Sequence, residues 1–594
     1  MVQATAKRKW RVLLGLFKAK IAELIKEKLP PASPGLDPDE VALGDLLEAP
    51  PDPAYGDMAF PTFSLARTFR RAPAKIAADL AAEINRARPD WLEKVEALNG
   101  YVNFTLNKPL AARSVLTAIK SEGRRYGSSG AGQGRKVVID FSSPNIAKPF
   151  AVNLLRTTVL GQALSRLYAF QGYEVVRVNH LGDWGTQNGQ WIVGYRLWGD
   201  EAALAANPIK ELLRLYIRFH EEAEKHPELE DQAREAFHLL EQGDPEALAL
   251  WKRFRHLSIE EFKRVYARMG IEFDSYAGEA FYSDKMEPVI RLLQEKGMLV
   301  ESEGATVAPL DEYNLPPCLI LKSDGSTLYP TRDLAAALYR WEQYQPALVL
   351  YVVDVRQSLH FQQIFTVLKK AGMSWVDRYE HIAYGLIKFQ DMIMSTRKGA
   401  IVFLEDVLDE AANRSLEIIK ERNPDLPDKE KVAEQVGIGA IIFRFLIYSR
   451  LKEISFDWQT ALSFDGDTGP YVQYTYARLC SILRKAGTEG VDVEKIGEDP
   501  SCLCFEKLSA PEEAALIFEL ERFPDVLIQC EAGRDPVALA RYLLELCRVF
   551  NGYYHQHRVM GSDAMAERLF LLAGVRTVLQ NGLYLLGMSA PEEM

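Results

Sequence analysis

Residues 135–164 read RKVVIDFSSPNIAKPFAVNLLRTTVLGQAL. The β-branched run ending at Asp140 has the character of a buried strand. After a turn through Ser142, Ser143, Pro144 and Asn145, apolar residues recur at helical spacing from about 150 to 171. Strand, turn and helix form the opening unit of an α/β domain. Further strand-like runs alternate with helical ones to about residue 390: YEVVRVNHLG (173–182), CLILKS (318–323), ALVLYVVDV (347–355) and YGLIKF (384–389). This alternation predicts a parallel sheet. The charged, helical stretch of about 200–295 is expected to be an insertion into it.

Upstream, GRRYGSSGAGQG (123–134) has the composition of a flexible connector. It divides a 1–125 N-terminal domain from a 126–427 catalytic-type domain. From 428 to 594 strand signals nearly vanish and helical spacing persists, as in EQVGIGAIIFRFLIYSRL and DPVALARYLLELCRVFNGYYHQ, which predicts an all-helical domain. Residues 7–29 describe an amphipathic helix with a basic outer face.

A chain of 594 residues with 48% hydrophobic and 26% charged residues has material for several cores and is neither fibrous nor disordered. Six cysteines without a CxxC pair support neither a disulfide framework nor a structural zinc site, and no metal site is expected. The net charge of -11 argues against indiscriminate nucleic-acid binding, although the first 29 residues carry +6. With no signal peptide and no run of 18 uncharged apolar residues, a cytoplasmic, membrane-free protein is expected.

Five stretches carry chemistry. In an open α/β sheet ligands lie beyond the carboxyl ends of strands, where helix N-termini attract anions. SSPNIAK offers Asp140, Asn145 and Lys148 around such an end. HLGDWGTQNG (180–189) places Gly182 and Gly185 where backbone can approach a ligand closely. KSDGSTLYPTRDLAAALYR (322–340) joins a turn at Asp324-Gly325 to a helix start with Tyr329 four residues before Asp333. YVVDVRQSLHF (351–361) ends a strand with Gln357 and His360, and MSTRKG (394–399) has the hydroxyls and cations of a phosphate-contacting loop. Each stretch taken singly also fits an ordinary turn.

Their order is more specific. Together with PPDPAYGDMAF (50–60), NGYVNF (99–104), VGIGAI (436–441), ALSFDGDTGPYVQYTYAR (461–478), FNGYYHQHRV (550–559) and LLGMSAPEEM (585–594), they resemble class I arginyl-tRNA synthetases over essentially the whole chain. The resemblance implies an α/β Rossmann catalytic domain with a helical insertion, an N-terminal α+β domain and a C-terminal all-helical anticodon-binding domain. It implies arginine, ATP with Mg2+ as substrate and tRNA(Arg) as partners, no tightly bound cofactor, and a monomer.

Carried over residue by residue, the arginine pocket would use Asp140 and Asp333, completed by Ser143, Asn145, Tyr329 and Gln357. A guanidinium has five donors and no acceptor, so it calls for carboxylate and phenolic oxygens. ATP would lie against Gly182, Asp183, His360 and positions Ala151, Asn153 and Leu154. Lys148, Ser395, Thr396 and Lys398 would act on the phosphates. Asn99, Tyr101 and Asn103 match the tRNA-contacting region of the N-terminal domain. Tyr471, Tyr474, Tyr554 and Met594 match positions near the anticodon, where aromatic faces stack on splayed bases. Each of these tyrosines also fits a core position.

The chain departs from the family at one place. The signature His-Ile-Gly-His or His-Val-Gly-His should follow Lys148-Pro149-Phe150, and Ala151-Val152-Asn153-Leu154 stands there instead. Ile393 replaces the first lysine of the second signature, a loss some members share while relying on the lysine at position 148. Loss of one transition-state donor costs about 2.7–4 kcal/mol. Two readings stay open: an arginine-tRNA ligase of reduced rate, with Lys148, Lys398, Arg156 or His360 stabilising phosphate, or a non-ligating paralogue that binds tRNA, arginine or both.

Overall fold

The computed structural model describes residues 16–29, 43–323, 325–389 and 402–594. In the N-terminal unit, β1 (Met58–Pro61), β2 (Leu92–Leu98) and β3 (Tyr101–Leu106) form an antiparallel sheet in the order β1-β3-β2. The β2-β3 hairpin turns on Asn99 and Gly100, both left-handed at φ 49° and 84°. That is the conformation Asn-Gly adopts at least cost in a two-residue turn. The helices Leu16–Lys28 and Pro73–Arg86 cover the sheet, and Phe17, Ile21, Leu24 and Ile25 form the buried stripe of the first.

The central sheet contains β4 (Lys136–Asp140) and β5 (Glu174–Val178), joined through the helix Leu155–Phe170. That helix begins later than the apolar spacing suggests, after a 3-10 turn at Val152–Leu154. Gly161 lets it lie against the end of β4, because a Cβ there would stand 2.1 Å from the Phe141 ring. The helical insertion follows and has its own core around Trp191, Leu212 and Phe254.

The chain then builds an antiparallel sheet from β6 (Val300–Ser302), β7 (Ala305–Ala308) and β8 (Cys318–Leu321), before β9 (Leu348–Tyr351) and β10 (Tyr379–His381) return to the central sheet. CLILKS therefore does not join the parallel sheet as its pattern predicts. The loop between β7 and β8 holds only one 3-10 turn, Asp311–Tyr313, too short for a parallel crossover. The parallel order is β10-β9-β4-β5. From β4 the chain moves to β5 on one side and later fills β9 on the other, which creates a switch point at the carboxyl ends of β4 and β9.

YGLIKF also leaves the central sheet: β11 (Ile387–Phe389) pairs in parallel with β12 (Ile454–Phe456), a strand that the helical spacing after 428 conceals. Beyond Gly469 the elements are helical. The helix Met565–Leu586 is long and apolar enough by composition to cross a membrane, but most of it is buried against other helices of the chain.

The 123–134 segment is bound along its length rather than free. Ser128 Oγ donates to Phe170 O at 2.6 Å, Ser129 N and Oγ donate to Gln171 Oε1, and Asn581 Nδ2 donates to Gly123 O at 3.0 Å. Tyr126 makes a further contact with the helical domain. Pro524 interrupts the helix Pro511–Gly533 and has no N-H for the carbonyl four residues back, Leu520 O. The Tyr126 hydroxyl donates to that carbonyl at 2.9 Å, and its ring stacks on Phe523. Tyr542 Oη satisfies the preceding carbonyl, Glu519 O, at 2.7 Å. Tyr126→Phe should therefore cost about 1–2 kcal/mol in urea denaturation followed by tryptophan fluorescence. In a Pro524→Ala background, where a backbone N-H returns, the same change should cost much less, and equal costs would show that the kink is not the cause.

Candidate active site

The chain around the switch point is held in an unusual backbone. Ser142, Ser143 and Ala147 all have positive φ (72°, 51° and 53°), three left-handed non-glycine residues within six positions. Each costs on the order of 1 kcal/mol or more and persists only when its surroundings over-determine it. Here they do. Ser142 N donates to Thr157 Oγ1, Ala147 N donates to Ser258 Oγ, and Ser142 Oγ lies 2.7 Å from the Tyr266 hydroxyl. Asn145 forms a parallel bridge with Gly182, whose N donates to Pro144 O at 3.1 Å. The Asn145 side chain fills the space a Cβ on residue 182 would need, only 1.8 Å from its Oδ1.

Asp140, the last residue of β4, is buried and pairs with Arg340 Nη2 at 2.7 Å. Ser143 Oγ donates to its other oxygen at 3.1 Å. Burial pushes His180 below the usual imidazole range, so its neutral Nδ1 can accept from Arg340 Nη2 at 3.4 Å. Asp140 thus binds a guanidinium, but that of Arg340. Asp140, expected to meet the guanidinium of free arginine, has that of Arg340 as its partner in the structure.

The helix Tyr329–Tyr344 presents Tyr329 and Asp333 on successive turns. Asp333 Oδ2 lies 2.6 Å from His360 Nε2, and Tyr329, more than half exposed, packs its ring 5.0 Å from His360. Burial acts to raise the Asp333 pKa, but the His360 hydrogen bond and nearby cationic groups hold it below its ordinary value. Glu279, which no sequence pattern singled out, faces the same space. Its pKa is pushed up to about 7 by burial, with Arg332 acting downward and Asp333 and Asp183 upward. Arg332 Nη1 donates to Glu279 Oε2 at 3.0 Å. The only sequence signal for Glu279 was a lone carboxylate between Gly278 and the aromatic pair Phe281-Tyr282, inside a region read as charged insertion. Gln357, exposed at the end of a 3-10 turn after β9, completes the rim.

Four residues expected near phosphate or nucleotide have partners within the protein. Asp183 is fully buried, accepts from Arg255 Nε at 2.7 Å and Ala280 N at 2.9 Å, and so ties the GDWG turn to the insertion. Arg156 is buried and donates to Gly385 O and Ser449 O. The Lys148 ammonium lies over the rings of Tyr216 (5.0 Å) and Trp191 (5.9 Å), and burial pushes its pKa down. His360 belongs to Asp333. Asn153 is exposed and Leu154 half-buried at the start of the helix. Ala151 bridges Phe403, and Val152 N donates to Val402 O at 3.1 Å. Ser395, Thr396 and Lys398 lie outside the described residues.

Known proteins resemble this chain in sequence and in fold. The family model for the class I tRNA synthetase (R) catalytic domain matches residues 115–458, more than half of the chain. The chain belongs to the class I arginyl-tRNA synthetase family. Its remaining segments match the arginyl tRNA synthetase N terminal domain (19–106) and the DALR anticodon binding domain (472–594). It is 47% identical over 581 residues to the arginine--tRNA ligase of Clostridium perfringens and 46% identical to that of Halothermothrix orenii, covering 97% of this chain and 100% of each relative. The Thermus thermophilus arginyl-tRNA synthetase structure superimposes with a TM-score of 0.77 at 27% identity, over 97% of this chain and 99% of that one. That of Plasmodium falciparum shares the fold with a TM-score of 0.80 at 24% identity, over 98% and 100%.

In this synthetase-family chain the residues matched to RNA contacts differ in access. Asn99 is exposed and Tyr101 half-exposed beside Phe63, at a ring distance of 5.2 Å, whereas Asn103 is buried in the sheet and offers no such surface. Tyr474 is exposed, and the Tyr471 hydroxyl accepts from Asn551 Nδ2 at 3.0 Å. Tyr554 lies under Arg478, and the Met594 carbonyl accepts from Asn423 Nδ2 at 3.3 Å.

Gly182→Ala offers a test of the loop. The added Cβ meets the mobile end of Asn145 rather than backbone, so the melting temperature should change by only a few degrees. L-arginine and ATP affinity should fall about tenfold or more as Asn145 is displaced. Unchanged affinity would show that Asn145 has no part in binding.

Proposed function

We propose that this chain joins arginine to tRNA(Arg) with ATP through an arginyl-adenylate, at a rate lowered by the Ala151-Val152-Asn153-Leu154 replacement. The observation that carries the arginine reading is the placement of Asp333 and Glu279 close to one another, with the Tyr329 ring beside His360. Carboxylate and phenolic oxygens match the donors of a planar cation, which an uncharged analogue lacks. The α-carboxylate of arginine attacks the α-phosphate of ATP and pyrophosphate leaves. A ribose hydroxyl at the tRNA 3′ end then attacks the carbonyl and releases AMP.

Positioning supplies much of the acceleration in such a transfer, and electrostatics the rest. The arginine side is well provided. Among the described residues the phosphate side is not: Ala151 and Leu154 cannot donate, and Lys148, Arg156 and His360 are engaged as described. The exposed Asn153 amide and the dipole of the helix it precedes are the donors at the signature position. Among the described residues no group of three His, Cys, Asp or Glu side chains is placed to hold a metal, so Mg2+ enters on the ATP phosphates as part of the substrate.

The same poverty of donors favours a second reading, a non-ligating relative that keeps tRNA and arginine binding. Purified protein with ATP, Mg2+, labelled arginine and tRNA(Arg) transcript decides between them. Arginyl-tRNA and AMP should form slowly, and product at background with tRNA binding intact would remove the ligase. Combining Ala151→His, Asn153→Gly and Leu154→His should raise the rate at least about a hundredfold.

A pH dependence also follows. A raised carboxylate pKa means Glu279 is ionised above about pH 7 and protonated below it. Arginine affinity should be full above that value and fall as pH drops through it, by up to about tenfold per pH unit. A flat calorimetric profile from pH 6 to 8 would remove Glu279 from the pocket.

A further inference from the structure

Arg332 lies in sequence between Tyr329 and Asp333, but it has no place in the pocket as assembled so far. Its side chain is largely buried, and one of its nitrogens reaches one oxygen of Glu279. Its Nε is buried and has no hydrogen-bond partner. Neighbouring arginines are held differently. Arg177 grips both oxygens of Asp274, Arg356 grips both of Asp354, and Arg255 divides its donors between Asp183 and Tyr276 O. Arg332 uses one prong and leaves a desolvated donor unpaired; Arg340 does the same with its Nε and Nη1, but its pair with Asp140 is sealed from water, whereas Glu279 keeps 28% of its side chain open to solvent and to an arriving cation. The group it lends to Glu279 is also the one that free arginine carries.

We propose that Arg332 is a built-in stand-in for the substrate: its guanidinium holds Glu279 before substrate binds, favours the charged form of that carboxylate, and yields it when the guanidinium of arginine arrives. This rests on the arginine reading given above and goes beyond it by assigning a positioning residue that governs how the pocket is charged before binding.

Three carboxylates crowd this space, and each has a basic partner. Asp183, on the loop after β5, has Arg255 from the helix Pro245–Arg268. Asp333, on the helix Tyr329–Tyr344, has His360 from the helix Ser358–Lys370. Glu279, at the start of the 3-10 turn Glu279–Lys285, has Arg332. Asp333 and Asp183 both oppose ionisation of Glu279, and Arg332 alone among the groups acting on it favours ionisation. Without Arg332, Glu279 would hold its proton to still higher pH, and a neutral acid binds a cation poorly. Arg332 therefore acts in two opposed ways. It competes with substrate for Glu279, and it keeps Glu279 in the form substrate needs.

These effects have different pH dependences, so their balance reverses. In Arg332→Met the competitor is gone but Glu279 titrates at higher pH. The variant should bind arginine more weakly than the parent near pH 6 and more tightly near pH 9, by about fivefold at each end. The deprotonating α-amino group of arginine affects all variants alike and cancels in the ratio of affinities. Arg332→Lys, which keeps a cation, should retain the parent profile. Glu279→Gln, which removes the titrating group, should lose the slope between pH 6 and 8.

The experiment is calorimetric titration of L-arginine into the full-length protein without ATP, from pH 6 to 9, for the parent and these three variants. A ratio for Arg332→Met that crosses unity establishes the stand-in, and a ratio constant with pH overturns it. If Arg332→Met fails to fold, a parent-like slope in Glu279→Gln overturns it instead. Failure of the parent to bind arginine at any pH would defeat the proposed function itself and this inference with it, which separates the two failures.

Discussion

The ion pair between Asp140 and Arg340 is the constraint on which the site depends. Both side chains are almost wholly out of water, at 8% and 1% exposure, 2.7 Å apart. Burying two charges costs several kcal/mol each, and their attraction offsets this only with good geometry and further hydrogen bonds. Ser143 and His180 supply those bonds on either side, and Tyr351, the last residue of β9, lies under the guanidinium. The pair therefore fixes the helix Tyr329–Tyr344 against the carboxyl ends of β4 and β9. That helix carries Tyr329, Arg332 and Asp333. A shift in this pair would move all three.

The site is electrically lopsided. On the arginine side every carboxylate has a basic partner, so negative charge is concentrated without being left unpaired. On the nucleotide side the left-handed turn from Ser142 to Ala147 is intact, yet the residues that follow it bring no imidazole. A reaction of this kind depends on positioning as well as on phosphate neutralisation.

Local patterns were readable from the sequence because they depend on neighbours in the chain. The run Val137–Asp140 specified its strand, Asn99-Gly100 its turn, and the spacing of Tyr329 and Asp333 their shared helix face. Partners hundreds of residues away were not readable. Asp140 was expected to meet the guanidinium of arginine, and its spacing cannot show that Arg340 is its partner within the chain. Glu279 sits in a stretch whose charge resembles any solvated helix, and only folding places it beside Asp333. The Gly/Ser composition of 123–134 describes the freedom of an isolated segment, whereas the carbonyl vacated at Pro524 gives Tyr126 a reason to dock. CLILKS has the composition of a parallel strand, and the short loop before it decides otherwise.

The docking of Tyr126 onto Leu520 and of Phe17 N onto Glu521 Oε1 spans 394 and 504 residues of chain. During synthesis at about 5–20 residues per second, the ribosome delivers the second partner of the Tyr126 contact roughly 20 to 80 s after the first. Through that interval the nascent N-terminal unit carries uncovered Phe17, Val115 and Tyr126, surface that its own sheet does not bury. The last-made helices thus complete the first-made domain, and a chain cut short before residue 511 would be left with an unfinished face and a need for chaperone cover.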